Sequence, residues 1–217
     1  GRPQAWTKHD LDVANTFRVS LDRLRPDDSA SDAAAIRLLA GAACLLPGEP
    51  FPRQLLLGMI TNATDGQQNR ASALSRLVRR LKKRQEPPSQ PPNPHLPDDA
   101  LRRLLALGLL ERAGEGRLRL HRLLVAFAAG ALAGEMAVAQ EGVERVVQAI
   151  FDQVWETKDP RALRLAIVHL SHVVDKASAR EDTSSLTLIN DLGLCLRLSG
   201  DLAGARPYYE RALAIRE

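Results

Sequence analysis

Three histidines stand where an imidazole could do chemistry. His121 ends the alternating run RLRLH, which reads as a strand, and opens the helical pattern that follows. A strand-end imidazole can donate to a phosphate oxygen, and the charge of that oxygen would favour the protonated ring. The plainer reading of the same residue is a helix N-terminal histidine that caps and packs. In HLSH, His169 and His172 are three residues apart on a helical pattern, a spacing able to grip a metal. No neighbouring cysteine or third ligand completes such a site, so no metal centre is expected. No Ser/His/Asp or Cys/His arrangement of any specificity occurs. The chain also has no Gly-Lys pair, and therefore no phosphate-cradling loop of the Gly-x-x-x-x-Gly-Lys-Ser/Thr kind. These residues point to a chain that is not an enzyme and carries no cofactor of its own.

The formal net charge is +4, and much of it lies in one stretch, NRASALSRLVRRLKKR at 69–84. Leu74, Leu77, Val78 and Leu81 recur at i, i+3, i+4 and i+7 there, which predicts an amphipathic helix. Its opposite face carries Arg76, Arg79, Arg80, Lys82, Lys83 and Arg84, a candidate face for nucleic-acid phosphates or an acidic partner. The two cysteines, Cys44 and Cys195, sit in apolar, helix-like surroundings and read as buried small hydrophobes of a reducing, cytoplasmic setting. No apolar run is long enough to span a bilayer, and no signal-peptide pattern opens the chain.

The elements that must position these residues are mostly helices. Aromatic residues are only 4% of the chain, so leucine, alanine and valine must build the core, a composition that favours helix over strand. Periodicity predicts a helix from about Asp10 to Leu24, a second from a Ser31 cap to Leu46, and a short third in FPRQLLLGMI. Six prolines between Pro87 and Pro97 predict an extended loop near 85–98. Beyond it, DDALRRLLALGLLERAGEGRLRLHRLLVAFAAG reads helix, strand, glycine turn, strand, helix, with Asp98 or Asp99 as the cap. Helices ending in a two-stranded ribbon are the plan of a winged helix-turn-helix, over residues 31–132, with 1–30 as a connecting helix. A soft Gly/Ala-rich joint around 130–139 leads to a helical hairpin over 138–182. Its first helix shows the stripe Val143, Val146, Val147, Ile150, Phe151, Val154 and Trp155, and Asp159-Pro160 starts its second.

The last stretch, 183–217, has a stricter pattern: Leu192-Gly193, Leu196, Gly200-Asp201-Leu202, Ala205, Tyr209 and Ala212. It resembles one tetratricopeptide repeat, a helix–turn–helix unit of about 34 residues. Gly193 and Ala205 would let the paired helices approach closely, Gly200 would make the turn, and Tyr209 and Ala212 would pack on a neighbouring repeat. The fold class expected is thus mainly α: a winged helix-turn-helix with a short two-stranded wing, then α-α hairpins beginning a tetratricopeptide superhelix. One such unit cannot cover its own exposed face. The chain is therefore expected to be a piece of a longer protein, continuing as a repeat array.

RLRLHRLL, RLLAGAACLLPGEPFPRQLL and the repeat together resemble the region after the nucleotide-binding core of the NB-ARC/STAND signalling ATPases, in their bacterial tetratricopeptide branch. In that family a winged helix links the ATPase to a repeat sensor, and a histidine at the wing's end contacts bound ADP. Here that motif reads Leu120-His121-Arg122, so only the histidine matches. The resemblance implies a non-catalytic regulatory and protein-interaction fragment, with the winged helix as a nucleotide latch and the repeats as ligand sensor. It implies ADP or ATP with magnesium in the parent protein, and partners in the upstream ATPase domain, further repeats and a protein or peptide ligand. By it, Thr187, Asn190, Leu194, Arg197 and Leu198 would face that ligand. The alternative is a winged-helix DNA-binding regulator with a repeat sensor. Its helix ahead of the wing offers Arg102, Arg103 and Arg112, behind two aspartates.

Overall fold

The computed structural model describes residues 8–60, 94–114, 116–164 and 166–216. The expected basic helix and most of the proline-rich loop lie outside them. The described residues are mainly helical, with one small antiparallel sheet.

Helix α1 (Lys8–Leu21) rests on α5 (Arg122–Ala131), where the rings of Phe17 and Phe127 lie 6.4 Å apart. Helix α2 (Ala30–Ala43) is the central element, with Ala34, Ala35, Leu38, Leu39 and Ala42 all buried. It starts two residues earlier than the sequence suggests because Ser29, not Ser31, caps it: the Ser29 hydroxyl accepts from the Asp32 amide at 3.2 Å. The third expected helix splits. Phe51–Pro52 form strand β1, and residues 53–60 form helix α3.

Helix α4 (Leu96–Ala106) follows His95, so Asp98 and Asp99 occupy its first turn, where carboxylates complement the helix dipole, and neither is the cap. Gly108 ends it at φ +67°, a conformation that favours glycine. Strands β2 (Glu111–Arg112) and β3 (Arg117–Arg119) form the expected hairpin. The ribbon has a third strand, since β1 pairs with β3 on its other edge, giving the order β1-β3-β2. Phe51 lies opposite Leu118, and both are buried.

The joint after α5 is a single residue, Leu132, rather than a soft segment. Helix α6 (Ala133–Thr157) begins at once, bent by 115° from α5. The stripe on α6 is buried at Val143, Val146, Val147, Phe151 and Val154 and partly buried at Ile150, but Trp155 is 50% exposed, with the Lys158 ammonium 3.0 Å from its ring centroid. Asp159-Pro160 caps a short 3₁₀ turn, Pro160–Leu163, and helix α7 (Ile167–Ser178) follows separately. The chain ends in α8 (Thr183–Leu198) and α9 (Leu202–Arg216), paired through a turn at Gly200 with φ +83°.

One apolar core joins the helices and strands β1 and β3. Helix α2 packs on α4, α5 and α6, and α6 packs in turn on α7 and α8. Met59 of α3 is one joint of this core. A β-carbon at Gly41 of α2 would come within 2.2 Å of the Met59 sulfur, and one at Gly142 of α6 within 3.3 Å of its methyl. The two glycines open the space that a long thioether fills. Among the described residues no single helix is long and apolar enough to cross a membrane.

Candidate functional site

The region around the hairpin places His121 at the start of α5. Its ring is exposed, and Nδ1 accepts a hydrogen bond from the Leu123 amide at 3.3 Å, so it does act as a helix cap. A neutral imidazole accepting through Nδ1 carries its proton on Nε2, which leaves one donor for an acceptor outside the chain. The residue thus caps the helix, as the plainer reading expects.

His169 has a different role. It is fully buried on α7, and both ring nitrogens are taken by backbone far away in sequence. Nδ1 accepts from the Leu46 amide at 3.2 Å, and Nε2 stands 3.2 Å from the Pro50 carbonyl, to which it donates. Its ring meets Phe51 edge-on at 5.8 Å. Burial lowers its pKa, against a smaller rise from the Pro50 bond and Glu49, with Arg117 adding to the fall. The ring therefore locks the 46–51 segment to α7 as a neutral group and has no lone pair left for a metal. His172, one turn on, is half-buried, and burial lowers its pKa too; its Nε2 is buried without a partner among the described residues.

Between α6 and α8 runs a groove of about 700 Å³, lined among others by Gln140, Glu144, Gln148, Arg180, Asp182 and Thr187. Its wall is a polar network. The Arg180 guanidinium donates to both Glu144 oxygens, at 2.8 and 2.7 Å, and to Asp182 at 3.1 Å. Gln140 also donates to Glu144, at 2.8 Å, and Gln148 bridges Asp152 and Asp191. Asp182 in turn caps α8 by accepting from the Ser185 amide at 2.7 Å, which together with Arg180 lowers its pKa. Opposite charges so close to Arg180 hold it protonated.

Of the five residues expected to face a ligand, only Thr187 lines this groove. Asn190 and Arg197 are exposed further along α8, while Leu194 and Leu198 are partly buried. The Tyr209 ring packs within the α8–α9 pair, where a β-carbon at Gly193 would come within 3.1 Å of it. Ala205 and Ala212 are buried as well.

The arginines of the helix ahead of the hairpin divide. Arg103 turns to α2, where it donates to Asp32 at 3.1 Å and to the Arg23 carbonyl at 3.0 Å. Asp32 is 7% exposed and also accepts from the Arg25 amide, so Arg103 is structural and unavailable to phosphates. Arg102 and Arg112 instead line a second cleft with Arg53 and Arg117. The six cations Arg76, Arg79, Arg80, Lys82, Lys83 and Arg84 lie outside the described residues. Glu144 and Arg180 escaped the sequence reading, although a carboxylate one position from Val143 on an apolar stripe was a usable signal. Met59, Arg53 and Arg117 left no such signal, because only tertiary contact gives them partners.

Both cysteine thiols are buried, and burial is the main cause that pushes each up to about 11. Among the described residues no group of three or more His, Cys, Asp or Glu side chains could hold a metal. Comparison with known proteins finds no family model, no curated protein and no solved structure that matches this chain.

Proposed function

We propose that this chain is a non-catalytic regulatory and protein-interaction part of a signalling ATPase of the NB-ARC/STAND kind. In this reading residues 31–132 are a winged helix-turn-helix that senses the nucleotide state, and 183–217 are a tetratricopeptide repeat that begins a ligand-sensing array. Bound ADP would hold the parent protein closed, and His121 would contribute a single donor to it. The sequence has no Gly-x-x-x-x-Gly-Lys-Ser/Thr loop, so in this reading the nucleotide-binding core lies in another part of the parent protein. A ligand seated on α8, near Thr187, Asn190, Leu194, Arg197 and Leu198, would favour the open state by binding it better.

The observation that carries this reading is the exposed His121, whose Nδ1 is committed to the Leu123 amide and whose Nε2–H is left for an outside acceptor. The continuity of the core supports the relay half of the proposal. His169 ties α7 to the segment entering β1, so a shift in the terminal hairpins has a rigid path toward the sheet. The close Gly193–Tyr209 contact and the Gly200 turn support the repeat assignment.

The test is release of a fluorescent ADP analogue from the parent protein with its nucleotide-binding domain, comparing wild type with His121→Ala. Loss of a hydrogen bond to a charged phosphate predicts release faster by roughly ten-fold or more. Equal release rates would reduce His121 to a helix cap, and absence of nucleotide binding would remove the ATPase reading altogether.

A further inference from the structure

We propose that the cleft between α4 and the β2–β3 hairpin is a binding site for a phosphoryl group. The inference stands independently of the ATPase reading. The cleft encloses about 310 Å³, and four arginines from four different elements line it: Arg53 at the start of α3, Arg102 on α4, Arg112 on β2 and Arg117 on β3. One carboxylate, Asp98, shares the wall and is engaged by Arg53. Arg102 pairs with a second carboxylate, Asp99, so the four positive charges meet two negative ones and the cleft stays cationic.

Arg53 is committed to Asp98, but the state of the other three guanidinium groups leaves donors for a ligand. The Arg112 guanidinium makes no hydrogen bond or ion pair among the described residues, and the residue is exposed. Arg102 is paired only with Asp99, on a side chain that is 70% exposed. Arg117 gives one terminal nitrogen to the Pro50 carbonyl at 3.3 Å, while its Nε is buried without a partner among the described residues. A buried donor lacking an acceptor is rare and costly in a folded protein. Gly114 and Gly116 complete the lining, and space is open where their side chains would stand.

Guanidinium groups on four elements around one cleft suit a tetrahedral phosphoryl group, whose oxygens point in several directions, better than a planar carboxylate. Leu101, Leu105 and Leu118 give the cleft apolar wall, which strengthens each charged contact by limiting water. The shared chemistry is a phosphoryl group, borne by a free nucleotide or by a nucleic-acid backbone.

The test titrates the 217-residue chain with inorganic phosphate, with ADP and with a fluorescein-labelled DNA duplex at low salt. Two variants are compared with wild type: Arg102→Ala/Arg112→Ala in the cleft, and Arg79→Ala/Arg80→Ala/Lys82→Ala/Lys83→Ala in the basic segment. Neither cleft arginine supports the core, so thermal melting of the first variant should match wild type. Removing two guanidinium groups is expected to weaken phosphate binding by at least about ten-fold. A parallel loss for ADP with the duplex unaffected identifies a free phosphate compound as the source. A loss for the duplex identifies nucleic-acid phosphate, and its affinity then also falls steeply with salt. The proposal is overturned if the cleft variant binds all three probes as wild type does, or if only the basic-segment variant loses affinity.

Discussion

At His169 a single imidazole joins two parts of the chain more than a hundred residues apart. It does so only while neutral, because a proton on Nδ1 would meet the Leu46 N–H in place of a lone pair. The groups around it are the Pro50 carbonyl and Glu49, which favour the charged ring, and Arg117 on β3, which opposes it. Along α7 itself, His172 is also held low, by burial first and then by Lys176 and His169, while Asp175 works the other way there. Burial wins, and the folded pKa lies below the ordinary 6.5. The unfolded chain therefore takes up the proton first as pH falls. The stability held above pH 6.5 declines below it, toward the lower folded pKa. The slope is at most about 1.4 kcal/mol per pH unit for this one proton. Urea midpoints measured between pH 7.5 and 5.5 should fall for wild type and fall less for His169→Gln. That variant also starts lower, by about 1–3 kcal/mol, because it leaves buried backbone groups poorly paired. Equal slopes for the two proteins would place the pH sensitivity elsewhere.

At the scale of elements, the α8–α9 pair shows how a small residue sets a helix spacing. Gly193 lies under the Tyr209 ring, where even a methyl group would stand at 3.1 Å. Gly193→Leu should destabilise by about 1–3 kcal/mol, as overpacking does at close helix contacts. In the double variant with Tyr209→Ala, part of that loss should return, because the leucine then occupies the vacated ring site. Thermal denaturation of the four proteins of this cycle provides the check, and simple additivity would mean that the two side chains do not meet. The hairpin needs its glycines for a different reason. Gly114 and Gly116 take φ values of +100° and +67°, which other residues adopt only with strain. The strand pair and its turn were legible from those glycines and from the alternation around them. The third strand was not. Phe51–Pro52 has too few residues for a period, and only the pairing of Phe51 opposite Leu118 makes it a strand.

At the scale of the whole molecule, the core is continuous from Leu24 to Ala212. The division into a helix–hairpin unit and later helical hairpins marks a change in sequence pattern, not a gap in packing. Helix α6 contacts both α2 and α8, and Met59 seats against two of these elements. Leu38 of α2 and Val174 of α7 are both fully buried. Leu38→Ala should cost about 2–5 kcal/mol, and Val174→Ala somewhat less. Because both sit in one core, each variant should move a single cooperative transition by far-UV circular dichroism. Two separate transitions, with each variant shifting only its own, would instead divide the core into independent units.

The sequence alone was enough for the helical character, the hairpin turn, the paired helices at 183–217 and the cap at His121. Each of these follows from local physics: apolar period, glycine at positive φ, proline at a first turn, a polar side chain ahead of a helix. It also sufficed to remove a phosphate-binding loop from the chain's chemistry, since no Gly-Lys pair exists to form one. Only the tertiary structure decided which charges are structural and which are available. Arg103 and Arg102 are neighbours in sequence, yet one turns to the buried Asp32 and the other to an open cleft, because adjacent helix positions point about 100° apart. The same holds for His169, whose partners at Leu46 and Pro50 come from a segment that no local pattern connects to α7. Spacing along the chain decides which residues share a helix face. Which charge finds a partner and which is left for a ligand depends on what the fold packs against that face.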